Sequence, residues 1–234
     1  MDEIEDFIID KPYELTEEDK KAIHKASPKK KDDSHWKKAC LSGFKTRFRD
    51  YMKPKQNYCC AFCRLDLHSN EATPEIEHIV GKDDFPDWMY EPFNLCLSCK
   101  LCNTKKSTKK VLVDESVTRL PHDSSAYLIV HPYLDKYSDY IEIVGNVLYR
   151  GKDGIRGKGY NTIEKYALDR YEVALARAMQ YILYNGVGNE YTKFLILVEA
   201  PENKKLIREE KFEDFQKELK ERIQVYLKRQ AKKL

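Results

Sequence analysis

Two Cys-x-x-Cys pairs, Cys60/Cys63 and Cys99/Cys102, stand 35 residues apart. The interval between them holds Glu77-His78 and Asn94, and Asn103 directly follows the last cysteine. Four thiolates at this spacing suit a tetrahedral zinc ion, and a four-cysteine site is closed, with no position left for substrate. Zinc would act mechanically, pinning a knuckle that starts at Cys60 to a helix that starts near Cys99. Structural zinc in small modules is worth on the order of 10–16 kcal/mol of apparent binding energy, enough to hold a loop-rich stretch with few apolar residues. Cys59 and Cys96 are alternative ligands, although neither forms a clean Cys-x-x-Cys knuckle. Cys40 falls on a helical face and reads as a small core residue.

The residues inside this staple suit a different chemistry. Glu77 and Asn103 offer hard oxygen donors for one ion of the Mg²⁺ or Mn²⁺ type. Such an ion stabilises the charge that develops on a phosphodiester under attack and on its departing oxygen. His78, with an ordinary imidazole pKa of about 6.5, is neutral near pH 7 and suited to take a proton from the attacking water. Glu77 and His78 are neighbours on a predicted strand, so their side chains leave opposite faces. A twisted strand end or a bulge must bring both to one phosphate. Asn94 reads as a brace whose amide ties the loop backbone that orients His78, without touching substrate.

Lys100, Lys105, Lys106, Lys109 and Lys110 follow with no acid among them and form a candidate nucleic-acid surface. A solvated face is the alternative for any such run taken alone. His24, His35, His68, His122 and His131 have no comparable neighbours and are assigned surface or core roles.

Taken jointly, C-x2-C, Glu77-His78-Ile79, Asn94-Leu95 and C-x2-C-Asn103-x2-Lys106 resemble the HNH endonuclease family in its zinc-stapled ββα-metal form. The resemblance covers residues 60–106, about a fifth of the chain. It implies that His78 is the general base and Asn94 the loop-bracing middle residue. It further implies that Asn103 is the final metal ligand where other members have histidine, that Glu77 is a second ligand, and that Lys106 meets phosphate. One departure is visible: many members continue His-Ile-x-Pro, where this chain has His78-Ile79-Val80-Gly81. Glycine makes the same turn with a looser loop. The Ile76–Ile79 context, His131-Pro132, Asp135, a following hairpin, Thr162-Ile163 and Leu168-x-Arg170 are also similar to the HNH subunit of Septu-type and retron-associated anti-phage systems. That resemblance implies an ATPase partner and a role in defence.

The elements that must position these residues read as an α+β chain. It is mainly helical around a ββα-metal core with a four-cysteine zinc, plus a small β-hairpin. Residues 1–33 hold eleven acids against seven lysines and read as an acidic, partly flexible segment. Its one helix spans residues 17–25, capped by Thr16 and ended by Ser27-Pro28. Residues 34–112 are the nuclease core. Its leading helix carries Trp36, Cys40, Phe44, Phe48 and Tyr51 on one face, and Pro54 stops it. Residues 58–67 read as the arm of a knuckle hairpin, 76–80 as a second strand, and 81–93 as a loop with a helical turn at 85–90.

Residues 113–234 hold a possible strand at 126–130 and a hairpin, 141–144 with 147–150, closed by the two-residue turn Gly145-Asn146. A loop at 151–159 follows. Asn161 with Glu164 then reads as the capping box of one helix that runs to Asn185-Gly186. A last helix, 202–232, carries Phe212, Phe215, Leu219, Ile223 and Tyr226 on a face that is either core or a partner-docking surface.

The bulk numbers narrow the class. Hydrophobic residues make up 41% and charged residues 35% of the 234 positions. No apolar run approaches the ~18 residues of a membrane span. The acidic start, Met-Asp-Glu-Ile-Glu-Asp, lacks the basic-then-apolar order of a signal peptide. The expectation is a cytoplasmic protein without membrane contact, whose seven cysteines are not disulfide-bonded. A net charge of +3 does not argue for nucleic acid, but local lysine clusters do, including the tail from Lys217 with seven bases against two acids. The expected function is a metal-dependent endonuclease acting on DNA or RNA. The alternative is a non-catalytic zinc-bearing subunit that binds nucleic acid or docks on an ATPase.

Overall fold

In a computed structural model, the protein is described over residues 6–27, 33–67, 74–106 and 110–185, with isolated positions between 217 and 228. Helix α1 (Glu17–Ala26) begins at a complete capping box. Thr16 Oγ1 accepts from the Asp19 N–H at 3.2 Å, and the Asp19 carboxylate accepts from the Thr16 N–H at 3.0 Å. Asp19 is fully buried and also accepts from Tyr13 Oη at 2.6 Å and from Arg47 Nε at 3.0 Å. One carboxylate therefore both caps α1 and ties it to α2 (Ser42–Lys55).

The apolar positions from 36 to 51 do not share one helix, as their spacing predicts. Trp36 and Cys40 lie on two short 3₁₀ turns, Asp33–Lys37 and Ala39–Leu41. Lys38 between them is extended, and its Nζ donates to the Ala26 carbonyl at 2.6 Å, closing the end of α1. Helix α2 starts only at Ser42, burying Phe44, Phe48 and Met52, and Pro54 lies inside its last turn rather than stopping it. Proline there forfeits one N–H donor where few helical bonds remain to lose.

Strands β1 (Glu75–His78) and β2 (Leu95–Ser98) pair antiparallel, with Glu77 opposite Cys96 and His78 opposite Leu95. Helix α3 (Lys100–Lys106) follows at once. The partner of β1 is thus not the 58–67 arm but a four-residue run that is buried at every position. Such a run has no alternation to announce a strand. Residues 58–67 instead form a tight knuckle with a single bridge, Cys59 to Asp66. Ala61 N–H donates to Leu97 O at 3.0 Å, docking the knuckle on β2. The buried Gln56 amide completes this joint: Nε2 donates to Cys59 O and Leu97 O, each at 2.9 Å, and Oε1 accepts from Leu97 N–H at 2.7 Å.

The later region differs from expectation in three places. Residues 126–130 hold no strand: a 3₁₀ turn (Ser124–Ala126) leads to one isolated bridge between Leu112 and Tyr127. After the short helix α4 (Tyr137–Tyr140), the hairpin of β3 (Ile141–Val144) and β4 (Leu148–Gly151) pairs Val144 with Leu148. Its loop therefore includes Val147, which is fully buried, besides Gly145 and Asn146 at positive φ. Finally, the single helix expected from Asn161 is two helices, α5 (Lys158–Tyr166) and α6 (Tyr171–Asn185). Gly157 occupies the cap, and Asn161 Nδ2 donates to Arg156 O. Ala167 turns left-handed at φ 49° and ends α5. The Arg170 side chain fixes this break by donating to Ala167 O at 2.9 Å and to Leu101 O of α3 at 2.8 Å. Gly159 lets α5 approach α4, since a Cβ there would lie 2.0 Å from the Tyr140 carbonyl oxygen.

The architecture is α+β, with two small antiparallel hairpins among the described residues. One hydrophobic cluster spans α1, α2, the knuckle, β1, β2 and residues from Tyr127 to Val173. A smaller cluster joins Val147, Leu148, Ala174, Leu175, Ala178 and Ile182 to Ile223. The rest of the apolar face proposed for 202–232 lies outside the described residues. Among those described, no helix is long and apolar enough to cross a membrane.

Candidate active site

The knuckle, the end of β2 and the start of α3 deliver four thiols to one point. The Sγ atoms of Cys60, Cys63, Cys99 and Cys102 all lie within 4.8 Å of one another, and all four residues are buried. A Zn–S length of about 2.3 Å sets tetrahedral S–S edges near ~3.8 Å, so the group has the right size for zinc. Cys63 and Cys99 are 3.5 Å apart, and the Cys99 N–H points at Cys60 Sγ from 3.3 Å. Cys59 and Cys96 are buried but stand outside the group, and Cys40 is half-buried on its 3₁₀ turn. The set fits a structural zinc with no open position. Side chains from the later region brace it from outside. Tyr149 Oη donates to Cys63 O at 2.5 Å, Arg177 Nη1 to the same oxygen at 3.2 Å, and Tyr137 Oη to Phe62 O at 2.7 Å.

Beside this cluster is a cavity of about 270 Å³ lined by Trp36, Ile76, Glu77, His78, Gly81, Lys82, Asp83, Asn103 and Lys106. It brings together Glu77, His78, Asn103 and Lys106. Glu77 and His78 both reach it because His78 is the last residue of β1. Asn94 does not line it. That residue is fully buried just before β2; its Oδ1 accepts from Val80 N–H at 2.8 Å. Its Nδ2 donates to Val80 O at 3.1 Å and Trp88 O at 3.2 Å, closing the 79–93 loop on itself.

His78 is held in one tautomer. Its Nε2 lies 3.1 Å from the Met89 carbonyl oxygen. A carbonyl only accepts, so Nε2 carries the proton and Nδ1 the lone pair. The Trp36 indole meets the imidazole edge-on, with ring centres 4.5 Å apart. Burial, and then the charge of Lys106, pushes the His78 pKa down to about 3, so the ring is neutral. Burial also pushes the Glu77 carboxyl above its ordinary range, against the pull of the Lys106 ammonium.

Asn103 is oriented by a residue that the sequence reading passed over. Its Nδ2 donates to Glu75 Oε2. A carboxylate accepts only, so the amide nitrogen faces Glu75 and Oδ1 is turned away. Glu75 and Glu77 share a strand face, and acid-x-acid at strand spacing is a signal that points to both. Trp36, Lys82 and Asp83 also line the cavity unforeseen; Trp36 arrives from the distant 3₁₀ turn, with no local signal.

The lysines separate into kinds. Lys106 is 1% exposed, its Nζ 2.7 Å from Glu77 Oε1 and hydrogen-bonded to His78 O. It is therefore not the free phosphate-facing base that its place in the lysine run suggests. Lys100 and Lys105 are exposed on α3 outside the cavity. Lys110 is exposed but paired with Glu115, an acid beyond the run, and Lys109 lies outside the described residues.

Over 102 residues the chain is 33% identical to the Septu protein PtuB of Bacillus thuringiensis, a match covering 44% of this chain and 34% of that protein. The matched stretch spans about a third of the length of that relative. No protein-family model and no solved structure matches the chain.

Proposed function

We propose that the protein is a metal-dependent endonuclease of the HNH type, with β1, β2 and α3 as its ββα-metal core. We further propose that it is the nuclease of a Septu-type defence system working with an ATPase. The observation that carries the catalytic reading is the single cavity shared by Glu77, His78, Asn103 and Lys106. The similarity to a Septu protein supports the defence reading.

The donors suit a hard divalent cation. Glu77 and the His78 carbonyl already hold a positive group, the Lys106 ammonium, and Asn103 presents its amide oxygen away from Glu75. Glu77 and Asn103 would hold Mg²⁺ or Mn²⁺, which supplies charge stabilisation to the phosphoryl oxygens. His78 takes the proton of the attacking water at Nδ1. The Met89 carbonyl holds the Nε2 proton and thereby orients the ring and favours the imidazolium as it forms. The water oxygen bonds to phosphorus while the bond to the departing sugar oxygen breaks. Trp36 blocks ring rotation from one side, and Asn94 fixes the loop that carries Met89. Lys100 and Lys105, both exposed, would meet flanking phosphates of DNA or RNA.

The test is cleavage of plasmid DNA, single-stranded DNA and RNA by the purified protein, with and without Mg²⁺ or Mn²⁺ and with its co-purifying partner present. His78→Ala should lower cutting by about 10²–10⁴-fold, with zinc content unchanged. A mutant that cuts like wild type, or a wild type silent with its partner, would overturn the catalytic reading in favour of a zinc-bearing docking subunit.

A further inference from the structure

Lys106 is a buried cation in the cavity wall. A lysine ammonium is compact and strongly hydrated, and burying it is unfavourable unless an opposite charge and hydrogen bonds replace its water. Here both replacements come from β1: the Glu77 carboxylate at 2.7 Å and the His78 carbonyl oxygen. The other charged groups on the wall, Lys82 and Asp83, pair with each other at 2.5 Å. The positive charge facing Glu77 is thus the ammonium, on one of the two oxygens that this carboxylate could offer to a divalent ion.

We propose that Lys106 is an internal counter-cation of this site. It neutralises Glu77 in the metal-free protein, must leave when a divalent ion arrives, and is then available to a phosphate group. This rests on the metal-dependent nuclease reading. Two positive groups on one buried carboxylate repel each other strongly, because Coulomb interactions are weakly screened there, and this repulsion favours the departure of the mobile one. Lys106 can move: it is the last residue of α3, and its charge rides on a flexible four-carbon stem. The exchange makes the protein a poorer binder of Mn²⁺ than its oxygen donors alone would be. It also keeps Glu77 charge-compensated when metal is scarce.

Two measurements on the full-length, zinc-loaded protein test the exchange. In a Mn²⁺ titration, Lys106→Met should bind about tenfold more tightly than wild type or better, the equivalent of one pKa unit of electrostatic coupling. Lys106→Arg, which keeps the charge, should stay near wild type. Equal or weaker binding by Lys106→Met, with wild type still binding, overturns the counter-cation and leaves the nuclease reading standing. Binding by neither protein overturns both. The second measurement needs no mutation and so does not depend on how a variant folds: lysine acetylation of the wild type, followed by mass spectrometry. Lys106 should resist acetylation without Mn²⁺ and become reactive at saturating Mn²⁺. A Lys106 that stays protected while Mn²⁺ binds overturns the exchange.

Discussion

Two clusters of metal-type ligands lie side by side in this chain and are built in opposite ways. The four thiols are closed in on all sides, and the carbonyls of Phe62 and Cys63 behind them are held by Tyr137, Tyr149 and Arg177 from a distant part of the chain. In the neighbouring cavity, Glu77, Asn103 and Lys106 are held by one or two polar contacts each, two of them with one another. The first cluster has no vacancy for chemistry. The second holds a cation that can be exchanged. Fixed support and exchangeable charge are kept apart, so each can be broken without the other.

The largest effect should come from the thiol cluster. Cys99→Ser, or a strong chelator, should release the zinc and, with it, a share of the ~10–16 kcal/mol such sites provide. Metal analysis and a thermal melt should show loss of zinc together with loss of the cooperative transition. A variant that sheds zinc yet melts like wild type would erase the distinction between support and chemistry.

A second, smaller effect lies away from both clusters and sets a baseline for acid stability. His131 is fully buried against Phe93 and Tyr127; its Nδ1 accepts from the Tyr133 N–H at 3.3 Å, and Nε2 has no partner among the described residues. Burial pushes its pKa from 6.5 down to about 3. The unfolded chain therefore binds this proton first, so stability is intact above about pH 6.5 and falls as pH drops toward about 3. The slope is about 1.4 kcal/mol per pH unit. His131→Phe should remove that share of the slope, leaving those of His78, whose pKa burial also pushes down to about 3, and of the acid release of zinc. Denaturant melts at pH 7 and pH 5 measure the difference, and equal slopes in the two proteins would rule the account out.

What could be read ahead of the structure follows from how local each feature is. The two Cys-x-x-Cys pairs and the Thr16 cap rest on spacing within a few residues, and the structure forms the thiol cluster and the cap, to which Asp19 adds the second half of a capping box. That Glu77, His78 and Asn103 share a cavity was also legible, because the residues that bring them together are anchored by those thiols. Strand β2 was not, since a short run buried at every position carries no period. The break between α5 and α6 was not, because Arg170 sets it by reaching Leu101 across the fold. Lys106 reads as one more surface lysine until β1 is seen beside it. Burial of a charge is decided by its partner, and no spacing rule names that partner.

The outer brace of the thiol cluster offers a test of intermediate size. Tyr149→Phe removes the hydroxyl from Cys63 O, and Arg177→Met removes the second donor to that oxygen while leaving Asn146 O without its donor as well. Loss of a buried partner costs about 1–3 kcal/mol. Each variant should lose about that much unfolding free energy in denaturant melts while zinc stoichiometry stays the same. Mn²⁺ affinity at the neighbouring cavity should not change. If it did, the two clusters would be coupled and their separation would fail.

Glu75 gives the finest test, because it touches the second cluster without lining the cavity. Its carboxylate fixes which way the Asn103 amide faces. In Glu75→Gln the new amide can donate as well as accept, so Asn103 is free to turn its nitrogen toward the cation position. Outer partners of metal ligands are worth about 10–100-fold in affinity or activity. The low end applies here, since the unturned part of the population keeps the amide oxygen in place. Mn²⁺ affinity should therefore fall by roughly tenfold or less, with zinc content unmoved. Glu75→Ala removes the partner altogether and should behave in the same way. If Glu75→Gln binds Mn²⁺ like wild type while Glu75→Ala does not, the acceptor oxygen or the bulk at this position is what counts, and the negative charge is not needed to orient Asn103. If neither changes, Asn103 does not serve as a ligand through Oδ1, and the oxygen site is narrowed to Glu77 and the groups that replace it.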